Sequence, residues 1–154
     1  VMDGENFSFI LGAEAPVQLV CPCSREISSY GAHNQRADVR VKLEYYPGHF
    51  IWLEDLIDKM ESFGSSRLYP IVKRGDEKYI TESSFDNPRF VEDVLREAVN
   101  CFREDERIRW FQAECDSYES IHNHNAFACQ TEYRKKDEKN MKLIPIPSLR
   151  FMFE

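Results

Sequence analysis

The sequence predicts an α+β domain, an antiparallel sheet with two helices packed on one of its faces. Three observations predict it. Residues 39–45 alternate cleanly, Val39, Val41, Leu43 and Tyr45 on one side and Arg40, Lys42 and Glu44 on the other, the period-two pattern of a half-buried strand. Leu53, Leu56, Ile57 and Met60 recur at helical spacing, as do Val91, Val94, Leu95, Ala98 and Phe102. Strand-like segments precede the first helix and follow the second. The order strand, strand, helix, helix, strand, strand gathers both helices on one face of a single sheet.

Taken in order, residues 7–11 and 16–20 are expected as strands, separated by a break at Gly12-Ala13-Glu14. Residues 21–36 carry too much Gly, Ser and Pro to be a helix. The strand at 39–45 ends at Pro47-Gly48, beside which His49 reads as a turn residue. The first helix closes at Gly64-Ser65-Ser66. The second is expected to start at Asn87-Pro88, a capping residue followed by proline in the first turn. Residues 108–115 and 126–133 form the last two strands. A charged run from Arg134 to Lys139 then acts as a hinge, and the apolar tail at 143–153 is expected to dock on the rest. The domain therefore spans residues 1–136, with hinge and tail at 137–154 and no internal repeat.

Composition narrows the function classes. The chain has 154 residues, 42% hydrophobic and 31% charged, ordinary values for one globular domain with a real core. A net charge of −7 argues against nonspecific binding of nucleic acid, which needs clustered cations. No stretch reaches the ~18–20 apolar residues of a membrane span, and the start lacks a basic-then-apolar signal pattern. Five cysteines are an odd number without the spacing of a disulfide framework, so reduced thiols in a cytoplasmic protein are expected.

Two polar knots stand out. Cys21-Pro22-Cys23-Ser24 is followed closely by His33, and Glu119-Ser120-Ile121-His122-Asn123-His124-Asn125 lies near the far end of the chain. Together they hold three of the four histidines and two of the five cysteines, as expected when distant strands bring metal ligands to one site. Thiolate and imidazole bind zinc-type ions at ~2.0–2.3 Å, and a catalytic centre leaves a position for water or substrate. The spacing matches no standard zinc finger. The plainer alternatives are a hydrogen-bonded histidine and, for Cys21, a small buried hydrophobe. Cys101, Cys115 and Cys129 read as core residues.

Glu92 is a further candidate. It shares the flank of the apolar stripe of the second helix, whereas Asp93 aligns with Arg96 and Glu97 on the solvent side. A carboxylate there either snorkels to water or is a buried acceptor for a ligand with two adjacent N–H groups, such as guanine.

Val20-Cys21-Pro22-Cys23-Ser24 with Tyr30-Gly31-Ala32-His33-Asn34-Gln35-Arg36 resembles the signature of type IB GTP cyclohydrolase. Further segments of the same resemblance are Lys73-Arg74-Gly75-Asp76-Glu77-Lys78-Tyr79-Ile80-Thr81-Glu82, Asn87-Pro88-Arg89-Phe90-Val91-Glu92-Asp93 and Glu119-Ser120-Ile121-His122-Asn123-His124. The resemblance runs from about residue 16 to 127. It implies the tunnelling fold, whose ββααββ module agrees with the order read above. It also implies metal ligands Cys21, His33, Glu77 and His122, with Glu92 as the carboxylate that anchors guanine. Cys23 and His124 beside these ligands are implied in substrate binding and proton movement, with Cys21 and His124 as the catalytic pair. Family chains carry two tandem modules, and this sequence resembles the C-terminal one.

The activity so implied is metal-dependent hydrolysis of GTP at C8, giving formate and 7,8-dihydroneopterin triphosphate, the first step of tetrahydrofolate synthesis. The ligand set suits zinc, manganese and iron(II) to different degrees. Arg25, Arg36, Lys73 and Arg74 are candidates for the triphosphate, or else solvated surface charges. Tunnelling-fold sheets close into barrels only by association, so a homo-oligomer or a companion N-terminal module is expected. Two other classes stay open. One is a nonenzymatic metal-binding half that stabilises or regulates a partner chain. The other is a nitrile reductase of queuosine synthesis, which leaves the His33 and His122 segments without a role.

Overall fold

The computed structural model describes residues 2–3, 6–135 and 142–145, with side chains over 8–134. Two-residue strands β1 (Met2–Asp3) and β2 (Asn6–Phe7) pair with each other. The main elements are β3 (Ile10–Val20), α1 (Pro22–Ile27), β4 (Asn34–Tyr45), α2 (Leu53–Ser62), β5 (Ser66–Arg67), α3 (Arg74–Asp86), α4 (Val91–Glu104), β6 (Ile108–Ser117), β7 (Ala126–Lys135) and β8 (Lys142–Pro145). They build one antiparallel sheet in the order β5-β3-β4-β6-β7-β8.

The α+β class and the helix-covered face are as expected. Odd residues of β3 and β4, among them Val17, Leu19, Val39, Val41 and Leu43, are buried together with Leu56 and Met60 of α2 and Val94, Ala98 and Phe102 of α4. Each of these side chains larger than alanine stabilises the fold by roughly 1.5–3 kcal/mol. The Phe102 ring lies 6.0 Å from that of Phe63 and 5.4 Å from that of Phe111, locking α4 between α2 and β6. Gly64 lets the turn after α2 press onto β3, because a Cβ there would stand 2.7 Å from Cβ of Val17.

Four features differ from expectation. β3 runs unbroken through Gly12-Ala13-Glu14, because these residues pair in register with Lys42-Val41-Arg40 and Arg40 Nε donates to Glu14 Oε2 at 2.8 Å. Pro22–Ile27 is helical despite its composition, since proline suits the first helical position and Cys21 caps it, its Sγ accepting from Ser24 N at 3.5 Å. The helices number four among the described residues, not two; α3 was unexpected because it buries only Ser84 and so carries no apolar stripe. Asn87 ends α3 rather than opening the next helix, and α4 begins at Val91. Arg134 and Lys135, expected in the hinge, belong to β7 instead, paired with Leu143 and Lys142. The rest of the hinge and most of the tail lie outside the described residues, while Lys142–Pro145 adds a strand to β7. No described helix is long and apolar enough to cross a membrane.

The antiparallel register gives the sheet two distinct ends. Val20, Asn34, Ser117 and Ala126 mark one; Ile10, Tyr45 and Ile108 mark the other. The first four α4 residues lie near the Val20 end, because Arg89 N donates to Val20 O at 3.0 Å just before the helix starts.

Candidate functional site

At the Val20 end a cavity of about 310 Å³ is lined by Cys21, Cys23, His33, Glu92, Glu119, His122 and His124 together with Leu19, Gln35, Arg89, Phe90, Val91 and Ala126. A larger hollow of about 1110 Å³ opens at the Tyr45 end. Its walls are Phe9, Tyr45 and Phe50, and its opposite charges, Arg109 and Glu44, already pair at 3.4 Å. The chemistry-bearing side chains therefore collect in the smaller cavity.

Local hydrogen bonds explain why Cys21 and His33 meet. Cys21 N donates to His33 O at 3.1 Å, continuing the β3–β4 ladder past Val20. Ser24 Oγ donates to Cys21 O and accepts from His33 N, both at 3.2 Å, so one hydroxyl ties the two segments together. Gly31 closes the intervening loop at φ 102°, a conformation that favours glycine. Ser117 faces Ala126 across the β6–β7 hairpin, which delivers Glu119, His122 and His124 to the same place. The His122 and His124 rings stack at 5.2 Å with 25° between planes.

A polar network runs through the cavity wall. His33 Nδ1 lies 3.0 Å from Gln35 Oε1 and 3.1 Å from Ser120 Oγ. Gln35 Nε2 donates to Glu119 Oε1 at 3.2 Å, and Ser117 Oγ donates to the same oxygen at 2.8 Å.

Six expected site residues, Cys21, Cys23, His33, Glu92, His122 and His124, thus share one cavity. Glu77 does not: it is exposed on α3 and absent from the cavity wall. Arg36, Lys73 and Arg74 are likewise exposed and line no part of it. Arg25 instead pairs with Asp86 at 3.8 Å and lies over the Phe85 ring at 4.8 Å. Glu92, on the first turn of α4, is exposed rather than buried and lines the cavity. Asp93 is the half-buried neighbour, accepting from Phe90 N at 3.0 Å to cap the helix.

Sequence reasoning gave no role to Glu119, Gln35 and Arg89, although all three lie inside the quoted motifs. Arg89 is the cavity's lysine-or-arginine cation among the described residues, and it is held by Glu97 at 2.8 Å. Of the other cysteines, burial pushes the Cys115 thiol up to about 12, so it is an inert core residue. Cys101 and Cys129 are half-buried rather than core, and burial raises both thiols as well.

A thiol, two or three imidazoles and carboxylates make a donor set whose chemistry fits a divalent ion of the zinc, manganese or iron(II) kind. As they stand, no three His, Cys, Asp or Glu side chains among the described residues converge closely enough to hold one. The set gathered in the cavity is a ligand-rich wall that lacks Glu77.

The chain is similar to known proteins over most of its length. The family model described as type I GTP cyclohydrolase FolE2 matches residues 1–128. A GTP cyclohydrolase FolE2 of Thermotoga maritima is 53% identical over 125 residues, covering 81% of this chain and 48% of that protein. That of Thermosipho africanus is 51% identical over 125 residues, with the same coverage of 81% and 48%. That of Geobacter sulfurreducens is 45% identical over 132 residues, covering 86% and 50%. The chain spans about half the length of the curated relatives it matches.

Proposed function

The chain belongs to the type I GTP cyclohydrolase FolE2 family, and from that premise we propose that it is the metal-binding module of a cytoplasmic enzyme that converts GTP and water to 7,8-dihydroneopterin triphosphate and formate. The observation that carries this reading is the cavity at the Val20 end, where Cys21, His33 and His122 meet Glu92 and Glu119. The relatives that carry the FolE2 name are about twice as long as this chain, so the turnover is proposed for an assembled enzyme and not for this chain by itself.

In this reading Cys21, His33 and His122 hold the ion and Glu77 completes the set. The ion supplies, when bound, the polarisation that makes water a nucleophile toward C8 of the purine near neutral pH. Glu92, exposed at the cavity mouth and free of hydrogen bonds among the described residues, accepts from the two adjacent N–H groups of guanine. That pairing orients the base so that its imidazole edge faces the ligand wall. His124, stacked on His122, moves protons as the ring opens and formate leaves, and Cys23 on the rim contacts substrate.

The triphosphate has Arg89 at the cavity and Arg36, Lys73 and Arg74 outside it. We assign Glu77 and the α3 cations to an assembled state, a homo-oligomer or a union with a companion N-terminal module. Exposed apolar side chains on and beside α3 support this, among them Ile71 at 84% and Tyr79 at 68% exposure.

The test is metal content and GTP turnover measured on the same purified sample, for this chain alone and with the companion module. Stoichiometric metal and formate release in either sample supports the reading. Metal uptake with no turnover in both would favour a nonenzymatic metal-binding half, and no metal in either would sink both. Mixing Cys21→Ala chains with Glu77→Gln chains tests the assembly, since turnover restored by mixing requires a ligand supplied from a second copy.

A further inference from the structure

We propose that Gln35 is a positioning residue that fixes the tautomer of His33, holding the hydrogen on Nδ1 and leaving Nε2 as the nitrogen free to bind a metal. The inference rests on the metal reading above for its purpose, but its geometry stands on the metal-free chain.

The argument starts at Glu119. Its Oε1 accepts from Ser117 Oγ at 2.8 Å and faces the Gln35 side-chain amide at 3.2 Å. A carboxylate oxygen only accepts, so the amide must present its NH₂ to Glu119. The reverse orientation would set a carbonyl oxygen against a carboxylate oxygen and forfeit a charge-assisted bond. With the NH₂ committed, the amide oxygen points the other way, to His33 Nδ1 at 3.0 Å. Two acceptors cannot share a bond without a hydrogen, so Nδ1 carries it.

Ser120 strengthens the same choice. Its Oγ lies 3.1 Å from Nδ1 and 3.5 Å from Gln35 Oε1. The hydroxyl donates to the amide oxygen and keeps a lone pair for a share of the Nδ1 hydrogen. The three residues therefore agree on one arrangement, and the unprotonated nitrogen of His33 is Nε2, on the far edge of the ring. A ligating histidine ordinarily has its other ring nitrogen tied in this way, which orients the ring and prepares the lone pair before the ion arrives.

This relay joins residues from two distant segments, Gln35 at the start of β4 and Ser117, Glu119 and Ser120 at the end of β6 and beyond. It makes the charge of Glu119, through Gln35, a determinant of how His33 binds.

The experiment reads the tautomer directly. Nitrogen-15 chemical shifts of the His33 ring are measured in the metal-free wild-type chain, in Gln35→Leu, in Gln35→Glu and in the Gln35→Glu/Glu119→Gln pair, and zinc affinity is measured for each by chelator competition. Wild type is expected to show His33 protonated at Nδ1. Gln35→Leu should lose that preference and bind zinc about 10- to 100-fold more weakly. The paired swap restores a donor facing an acceptor, so the Nδ1–H tautomer should return in it relative to Gln35→Leu. A wild-type ring protonated at Nε2, or a Gln35→Leu chain with unchanged tautomer and unchanged zinc affinity, would overturn the proposal. A wild-type chain that shows the Nδ1–H tautomer yet takes up no zinc would count against the metal reading and leave the Gln35 relay standing.

Discussion

The two ends of the sheet treat charge in opposite ways. At the Tyr45 end the charges are tied into pairs, although Arg134 Nε and the Tyr46 hydroxyl are buried there without a hydrogen-bond partner. Arg107 grips Asp105 through Nε at 2.8 Å and Nη2 at 2.7 Å, with Lys59 3.8 Å from the same carboxylate. Arg103 Nε donates to the fully buried Glu132 at 2.9 Å, and Arg134 Nη2 donates to the carbonyl of Arg103 at 2.7 Å, closing the C-terminal turn of α4. At the Val20 end the relay behind His33 is satisfied, but the groups in front of it are not. The side chains of Cys23, Glu92 and His122 make no hydrogen bond or ion pair among the described residues, although they share one cavity. Unused donors and acceptors at a cavity wall hold no fold together; they stand ready for something that is bound. The Tyr45 end locks the helices onto the sheet, and the Val20 end spends that rigidity on holding a ligand-rich wall in shape.

This contrast breaks first at His122. Replacing His122 with Ala should strip most of the metal and lower GTP turnover of the assembled enzyme by more than about 100-fold, since an open site has no spare ligand. The melting temperature of the metal-free chain should stay within about 2 °C, because exposed substitutions away from packing change stability little. Metal analysis paired with thermal unfolding checks both halves. Full metal occupancy in the variant would remove His122 from the ligand set.

The converse experiment is made at the Tyr45 end. Arg103→Ala leaves the buried Glu132 carboxylate without its cation, and stranding a buried charge costs about 3 kcal/mol or more. Urea unfolding should show that loss, while metal bound per folded molecule stays at the wild-type level. Metal loss in proportion to destabilisation would mean that the two ends are not independent.

Between these lies Glu92. Its exposure withdraws the idea of a preburied acceptor, and its place at the cavity mouth keeps the recognition role. Glu92→Gln should weaken GTP binding by about ten- to a hundredfold, roughly 1.5–3 kcal/mol for a charge-assisted contact, without changing metal content. Equal GTP affinity in variant and wild type, by calorimetry, would return Glu92 to the solvated surface.

The same contrast explains what was legible in the sequence. Alternation at residues 39–45 and the stripes of α2 and α4 record burial against the core, so those elements could be read directly. α3 packs almost nothing into this chain and left no stripe to read. α1 owes its helicity to a proline and a capping thiol, a signal of two residues rather than a period. The motif residues Cys21, His33, His122 and His124 were legible as chemistry because Cys and His clusters are rare. Their supports were not, because the bonds from Gln35 and His33 to Glu119 and Ser120 span more than 80 positions of chain. Glu77 shows the limit from the other side: a motif residue that the structure leaves exposed on α3, away from the cavity.

The smallest expected effect tests the Tyr45 end by acid. The Arg107 guanidinium beside Asp105 holds its carboxyl below the usual carboxylate range, aided by the Arg107 backbone N–H and by Lys59, against an opposing push from burial. A carboxyl whose folded pKa is depressed contributes stability that is fully present above its unfolded value, about 3.9. That contribution fades as pH falls through the folded value, because the unfolded chain then binds the proton more readily than the native one. Asp105→Asn removes the linkage. The variant should be about 1 kcal/mol less stable than wild type at neutral pH, the net worth of a hydrogen-bonded pair at a partly exposed site. The gap should narrow as pH falls below about 4, where Asp105 is protonated first in the unfolded chain and, at lower pH still, in the native one. Urea unfolding at several pH values on the metal-free chain measures it without disturbing the Val20 end. A gap that stays constant from neutral to strongly acid pH would show that Asp105 acts through packing and not through its charge, and would put a carboxylate at the Tyr45 end on the same footing as an apolar side chain.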